Sequence, residues 1–373
     1  LAIVERWLQA VPGSLSALEM RMRILAAAED HEAAGQAASA VLAREPRHRE
    51  AQSRLLKMDL AGAEPEAALR RVDGLLATAA SDDERRALLP WKAMVHDHLG
   101  QAGEAVAVWE ALHAGVAGSR LPLPQPVPRS RTPAPPAGIA AAAVATPGRA
   151  QVGFLFGLPG SRVEHLAGIL GETLGAFRAD RHRAGAPDDA FQSYFTPRRL
   201  QARETSAADV VAGWRAQFAA RGLTGEVMDW LLWWDNELAA VLHAEAPEAT
   251  LFVALRDPRD MLLDWLAFGT SGPFRMESVA TAAEWLATQL EQLAVLHEQG
   301  LMSHRLIRLD DAVADPQQMA ALLGNVMSVD LPAPPGRPAG MPPFPKGYWH
   351  RYRDVLAAPF ARLSPVANRL GYP

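Results

Sequence analysis

Residues 250–268 read TLFVALRDPRDMLLDWLAF, and this stretch decides the fold of the second half of the chain. It begins with an unbroken apolar run, Leu251–Leu255, which is typical of a strand buried on both faces of a parallel sheet. Asp257 is a candidate helix N-cap, and Pro258 suits the first helical turn. The stretch therefore predicts a buried strand followed by a helix. Arg256 would lie at the carboxyl edge of the sheet, where open α/β folds bind anionic ligands.

A second strand–loop–helix unit is predicted upstream. The apolar run Val152–Phe156 is followed by the loop GLPGSR at 157–162 and by a helical pattern that begins at Val163. A strand, a glycine-rich loop and a helix together form the geometry that holds phosphate on backbone N–H groups. No Gly-Lys-Ser/Thr sequence ends this loop, so it is not a complete Walker motif.

Composition bounds the class of protein. The 373 residues suffice for two domains, and the net charge of −5 argues against a general nucleic-acid or anionic-membrane binder. The absence of cysteine excludes disulfides, thiol catalysis and cysteine metal sites. No apolar run approaches the ~20 residues of a membrane span. We expect a cytoplasmic protein, although a signal upstream of Leu1 remains open.

The N-terminal third shows three pairs of amphipathic helical patterns. Ala34 and Ala68 occupy the same place in successive pairs, 34 residues apart, which is the tetratricopeptide period. Ala105 takes this place in the third pair. The pattern predicts a TPR-like α-solenoid over residues 1–118. Its surface would bind a protein or peptide partner, or else pack within the protein or form a homo-oligomer.

Residues 119–150 are rich in proline and alanine. Proline at this density favours an extended conformation, so this segment is predicted to be a linker. It separates the helical repeats from an α/β domain over residues 151–373.

The residues Arg256-Asp257-Pro258-Arg259-Asp260 after a buried strand resemble the 3′-phosphate-binding segment of sulfotransferases, which use 3′-phosphoadenosine 5′-phosphosulfate (PAPS). The whole chain is similar to bacterial sulfotransferases that carry tetratricopeptide repeats. The resemblance covers residues 151–373. It implies a P-loop-type α/β domain with a central parallel sheet, PAPS as the cofactor and no metal.

The resemblance also implies roles for individual residues. If the chain transfers sulfonate, Arg162 is a candidate catalytic cation, and Glu164 or His165 is a candidate general base. The residues implied to bind the cofactor lie in the first loop, after the central strand and near the C-terminus: Gly157, Pro159, Gly160, Ser161, Arg162, Arg256, Asp264, Lys346 and Gly347.

Several positions depart from the family pattern. Gly160 stands where the family has an Arg or Lys that touches the sulfonate, and Asp264 replaces a phosphate-binding Ser. Trp230 stands in the place of a site Lys. A carboxylate facing a phosphate would repel it, so we expect Asp264 to turn away or to pair with Arg259. These departures favour a degenerate, protein-binding scaffold. The alternative is an active PAPS-dependent sulfotransferase that acts on a hydroxyl, and a binder of another nucleotide is a third hypothesis.

Two further clusters have open interpretations. The three tryptophans Trp230, Trp233 and Trp234 are predicted to share one helical face, as core or as an aromatic acceptor pocket. A basic segment over residues 177–203 would dock an acidic acceptor or form a solvated surface. Its members are Arg178, Arg181, His182, Arg183, Arg198, Arg199 and Arg203.

Overall fold

The fold is taken from a computed structural model. It describes residues 1–62, 65–125, 152–178, 190–191, 193–220, 222–223, 226–270, 272–332 and 343–373. The chain divides into two compact units, Leu1–Leu112 and His113–Pro373.

The first unit is a run of helices. They are α1 (Ala2–Ala10), α2 (Leu15–Ala27), α3 (His31–Leu42), α4 (Arg49–Ala61), α5 (Glu66–Thr78), α6 (Asp82–His98) and α7 (Ala102–Val116), whose last turn belongs to the second unit. The three predicted pairs are α2 with α3, α4 with α5, and α6 with α7. Ala34, Ala68 and Ala105 are fully buried in the second helix of each pair, because a methyl side chain lets neighbouring helices approach closely.

The second unit is built on five parallel strands. These are β1 (Val152–Gly157), β2 (Phe177–Arg178), β3 (Val227–Trp230), β4 (Ala249–Leu255) and β5 (His304–Arg308), in the spatial order β2-β3-β1-β4-β5. The helices are α8 (Val163–Thr173), α9 (Thr196–Gln201), α10 (Ala207–Ala220), α11 (Glu237–Glu245), α12 (Pro258–Phe268), α13 (Val279–Gln299), α14 (Pro316–Met327) and α15 (Ala357–Arg369). The predicted parallel sheet is confirmed, and so are the strands predicted from the apolar runs Val152–Phe156 and Leu251–Leu255.

Both faces of the sheet are covered, as the unbroken apolar runs predict. On one face, Leu155 of β1 and Phe252 of β4 belong to a core with α8 and α14. On the other face, the ring of Phe154 lies 5.0 Å from that of Trp214 in α10, and Phe156 lies 6.3 Å from Trp234. Aromatic packing at these distances adds about 0.5–1.5 kcal/mol per pair beyond area burial. The end of β1 is therefore fixed from both sides.

The prediction of a helical tryptophan face is wrong. Trp230 is the last residue of β3, and residues 231–236 form an irregular segment before α11. Sequence patterning missed β3 because four residues are too few to establish a period. All three tryptophans are nevertheless buried.

The beginning of the predicted linker belongs to the second unit. Leu121 donates its N–H to the carbonyl of Pro273 at 2.9 Å and accepts the N–H of Arg275 at 2.8 Å. Arg120 donates to the carbonyl oxygens of Gly272 and Phe274. Residues 126–150, the rest of the predicted linker, lie outside the described residues. No helix in the described part of the chain is both long and apolar enough to cross a bilayer.

The loop after β1 is a tight turn packed against α12. The N–H of Ser161 donates to the carbonyl of Leu158 at 3.0 Å, with Pro159 and Gly160 at the centre. Gly160 has φ +78°, as the third position of a type II turn requires. A Cβ atom at Gly160 would lie less than 3.0 Å from the backbone carbonyl of Met261. Only glycine therefore fits between this loop and α12.

We predict that Gly160→Ala destabilises the protein by at least about 2 kcal/mol, because it combines positive-φ strain with a backbone clash. Gly168→Ala is the matched control. Gly168 is exposed in α8, and a methyl group added there would have no neighbour within 4 Å, so alanine should stabilise the helix by up to about 1 kcal/mol. Urea denaturation measures both changes. Equal effects of the two substitutions would contradict this account of the turn.

Candidate functional site

The two turns singled out in the sequence meet at the carboxyl edge of the sheet. β1 and β4 are hydrogen-bonded neighbours, with Gly157 opposite Ala254. Beyond these strand ends, the Arg256 guanidinium donates to the carbonyl of Gly160 at 3.3 Å. The first loop and the turn after β4 are thus in direct contact.

The carboxylate of Asp264 joins these turns through two arginines. Its Oδ2 accepts a hydrogen bond from Arg256 Nη1 and another from Arg162 Nε at 3.0 Å. Asp264 is 1% exposed and Arg256 is fully buried. The expectation that Asp264 turns away or pairs with Arg259 is wrong. Arg259 instead pairs with Asp257, two residues away, at 2.6–2.8 Å.

Asp264, Arg256 and Arg162 form an ion cluster. A C-terminal segment encloses this ion cluster. The carbonyl of Phe344 accepts a hydrogen bond from Arg256 Nη2 at 2.8 Å, and its N–H donates to Asp264 Oδ1 at 3.3 Å. Sequence reasoning missed Phe344, because it contributes through its backbone, which leaves no signal in residue type. Both terminal nitrogens of Arg256 therefore have partners within the protein.

Arg162 reaches the cluster from an unusual backbone position. It precedes α8 in the left-handed conformation, with φ +65°, which is uncommon for a residue other than glycine. Its guanidinium lies 4.6 Å from the centre of the Phe268 ring, a cation–π distance. Its Nη2 is buried and has no partner among the described residues.

The stability of the ion cluster depends on all three of its side chains, because each charged group is buried away from water. A buried charge without a partner costs several kcal/mol, and removing one member of a buried pair typically costs about 3–5 kcal/mol. Asp264 offsets the desolvation of Arg256 and Arg162. An anionic ligand placed at Arg256 would meet this carboxylate at hydrogen-bonding distance and be repelled.

Two other residues of the loop, Ser161 and Gly157, are closely packed. Ser161 is fully buried, and its hydroxyl has no partner among the described residues. The Ser161 hydroxyl and the Val163 Cβ lie so close to the Cα of Gly157 that a Cβ there would be less than 3.0 Å from both. The space beside Gly157 is therefore filled by side chains of the loop and of the first residue of α8.

Lys346 and Gly347 do not join the cluster. Lys346 extends from the surface to Asp311, with N–O distances of 3.0 and 3.1 Å. Gly347 donates its N–H to the buried carboxylate of Asp260 at 2.6 Å, and Trp349 donates to the same carboxylate at 2.9 Å. Asp260, which sequence reasoning did not single out, holds this segment against α12.

The candidate general bases lie in the first turn of α8. Glu164 and His165 are partly exposed, and Nδ1 of His165 is 3.9 Å from Glu164 Oε1. Burial lowers the pKa of His165, and the Glu164 carboxylate opposes this effect. A neutral imidazole can accept a proton.

Of the predicted basic segment, Arg181, His182 and Arg183 lie outside the described residues. Arg198 and Arg199 are exposed on α9, and Arg203 is exposed just beyond it. Arg178 is fully buried, 5.7 Å from the ring of Phe218. The described arginines therefore do not form one continuous basic surface.

One group of three potential metal ligands lies close together in the described part of the chain. Its members are Glu19, Glu45 and His48, in the first unit and far in sequence from the ion cluster. His48 already pairs with Glu19 at 3.0 Å. Two of the three side chains are therefore already paired by a hydrogen bond.

Comparison with known proteins returns no match, either among protein-family models or among curated proteins. The function is therefore inferred from the geometry of the chain itself.

We predict a pH-dependent contribution from Asp260. Burial raises its pKa to about 6, although the N–H groups of Trp349 and Gly347 act against this. Its pKa in the unfolded chain is about 3.9. The folded protein therefore binds the proton more tightly. This stabilisation, about 3 kcal/mol, is fully present below about pH 4 and is lost as the pH rises through about 6.

The measurement is urea denaturation of wild type and Asp260→Asn between about pH 4 and pH 7.5. The stability of wild type relative to the variant should fall by about 2–3 kcal/mol across this range. A pH-independent difference would show that Asp260 titrates in the folded state as it does in the unfolded chain.

Proposed function

We propose that this chain is a degenerate sulfotransferase-like protein whose PAPS site is blocked from within, and that it acts mainly as a protein-binding scaffold through TPR-like repeats. The observation that carries the proposal is the hydrogen-bonded contact of Asp264 with Arg256 and Arg162. Arg256 is the residue that, by resemblance, would bind the 3′-phosphate. In the proposed account, the Asp264 carboxylate pairs with Arg256 in place of the negatively charged 3′-phosphate of a ligand.

The packing of the loop supports the same proposal. The resemblance requires an Arg or Lys at position 160, but a side chain there would collide with the backbone of α12. The Ser161 hydroxyl, a candidate oxyanion donor, is fully buried. Catalysis of sulfonate transfer needs donors directed at the developing charge, and a buried hydroxyl is not available to a ligand. The pairing of Asp264 with Arg256 and the close approach of Gly160 to α12 therefore argue against a fit to PAPS.

The repeats support the scaffold half of the proposal. Exposed large apolar side chains are concentrated at the start of the first unit, with Ile3, Trp7 and Val11 spaced four residues apart along α1 and just beyond its end. Residues at this spacing lie on one face of a helix. Ile3 is 72% exposed. Clustered exposed apolar groups mark interaction surfaces.

An active PAPS-dependent sulfotransferase remains the second candidate, and one observation favours it. The cluster contains two arginines for one carboxylate, and Nη2 of Arg162 has no partner in the described part of the chain. A sulfonate oxygen could take this donor if the loop moved away from α12. Arg162 would then stabilise charge on the transferred group, with His165 or Glu164 as the base.

Ligand binding discriminates the two candidates. We expect neither PAPS nor adenosine 3′,5′-bisphosphate at millimolar concentration to raise the melting temperature of wild type, because a ligand stabilises only in proportion to its occupancy. Asp264→Ser should gain binding, since it frees Arg256, and Asp264→Ser/Arg256→Ala should not. Circular dichroism checks that each variant is folded. Stabilisation of wild type that Arg256→Ala abolishes would contradict the blocked site and favour the active alternative.

The proposed protein-binding role of the first unit is tested separately. The double variant Ile3→Ser/Trp7→Ser should lose the partner that the full-length protein captures from extracts of its source cell, or its self-association in sedimentation. Its melting temperature should not change, because both side chains are exposed. Val355→Ser, which alters an exposed apolar residue of the second unit, is the control. Capture that is unaffected by the double variant would remove α1 from the binding surface.

A further inference from the structure

A second region of the same sheet edge differs in character from the ion cluster. A cavity of about 40 Å³ lies beyond the ends of β1 and β3. A single water needs roughly 10–15 Å³, so the cavity has room for about three. A trimethylammonium group fits such a space, and because the cavity is open to solvent, the rest of a small ligand can extend into its mouth. Six aromatic side chains line the cavity: Tyr194, Trp230, Trp233, Trp234, Phe274 and Trp285.

The aromatic walls are held in place by contacts of their own. Tyr194 and Phe274 pack edge to face, with ring centres 6.0 Å apart. The Trp285 indole donates to the carbonyl of Pro124 at 2.7 Å, and that of Trp234 donates to Asn236 at 2.8 Å. The walls are therefore preorganised, and little conformational entropy would be lost when a ligand binds.

The charge of the cavity is negative. Glu164 and the buried Asp235 belong to its lining, and no Lys, Arg or His does so among the residues that the structure describes. Aromatic faces carry partial negative charge and attract cations, most strongly when the cation is desolvated. Carboxylates add to this attraction. The cavity therefore favours an organic cation over an anion or a neutral group.

One hydrogen-bond donor in the cavity wall has no acceptor among the described residues. Trp233 is 6% exposed, and its indole Nε1 has no partner among the described residues. A buried donor without an acceptor costs about 1–3 kcal/mol. A ligand hydroxyl oxygen, or a water in the cavity, could accept this N–H.

We propose that this cavity binds a small quaternary ammonium compound that carries a hydroxyl group, of which choline is the simplest example. The aromatic rings surround the methylated ammonium, the Glu164 carboxylate balances its charge, and Trp233 donates to the hydroxyl. The proposal goes beyond the scaffold function and does not depend on it, because none of the ion-cluster residues lines this cavity.

The first experiment is calorimetric titration of the full chain with choline, combined with tryptophan fluorescence. The control ligand is 3,3-dimethylbutan-1-ol, which has the shape of choline without its charge. We expect saturable choline binding with a change in tryptophan emission, and binding of the neutral alcohol about tenfold weaker or less. Equal affinity for the two ligands, or no choline binding at high millimolar concentration, would overturn the proposal.

Two variants test the residue roles. Glu164→Gln should weaken choline binding several-fold and leave the neutral alcohol unaffected, whereas Glu172→Gln, on the exposed part of the same helix, should change neither. Trp233→Phe keeps an aromatic ring but removes the N–H. It should weaken choline binding and leave tetramethylammonium, which has no hydroxyl, unchanged. If Glu164→Gln affects both ligands equally, or Trp233→Phe weakens tetramethylammonium as much as choline, the assignment is wrong.

Discussion

One carboxylate, that of Asp264, connects three segments that are distant in sequence. It accepts hydrogen bonds from Arg256 after β4, from Arg162 at the start of α8 and from the backbone of Phe344. The site is almost wholly removed from water, so each charge depends on the others for its solvation. This constraint holds the carboxyl edge of the sheet in a closed arrangement.

Under the proposed function, the ion cluster is a different outcome from simple loss of a binding site. A phosphate-binding arginine with its ligand residues deleted would be left buried and unpaired, at a cost of several kcal/mol. Here the Asp264 carboxylate pairs with Nη1 of Arg256, whose Nε has no partner among the described residues. Under the proposed function, the same substitution both removes affinity for an anionic cofactor and stabilises the fold. The neighbouring cavity has the opposite chemistry, with aromatic walls and carboxylates, so the sheet edge as a whole does not favour anions.

The sequence predicts those parts of the fold that have strong local patterns. The apolar runs give β1 and β4, and the three helix pairs follow from the spacing of Ala34, Ala68 and Ala105. Asp257 and Pro258 begin α12 as expected. β2 and β3, with two and four residues, have no period to detect, and so Trp230 was assigned to a helix.

The site was harder to predict than the fold. Arg256 and the loop at 157–162 were brought together correctly, because parallel strands end at one edge of a sheet. The partner of Asp264 could not be derived, since Arg162 is 102 residues away in sequence and Arg259 is closer along the helix. The contribution of Phe344 comes from its backbone, and the cavity arises from side chains of several loops. Such contacts depend on tertiary packing, which local patterns do not encode.

The central claim is that Asp264 and Arg256 stabilise each other in the folded protein. A double-mutant cycle with Asp264→Asn, Arg256→Met and the double variant, measured by urea denaturation, tests it most directly. Each single substitution should cost about 3–5 kcal/mol. The loss of unfolding free energy in the double variant should be smaller than the sum of the two single losses by about 2 kcal/mol or more. Single effects that add to within about 0.5 kcal/mol would show that the two residues do not interact, and would contradict the account.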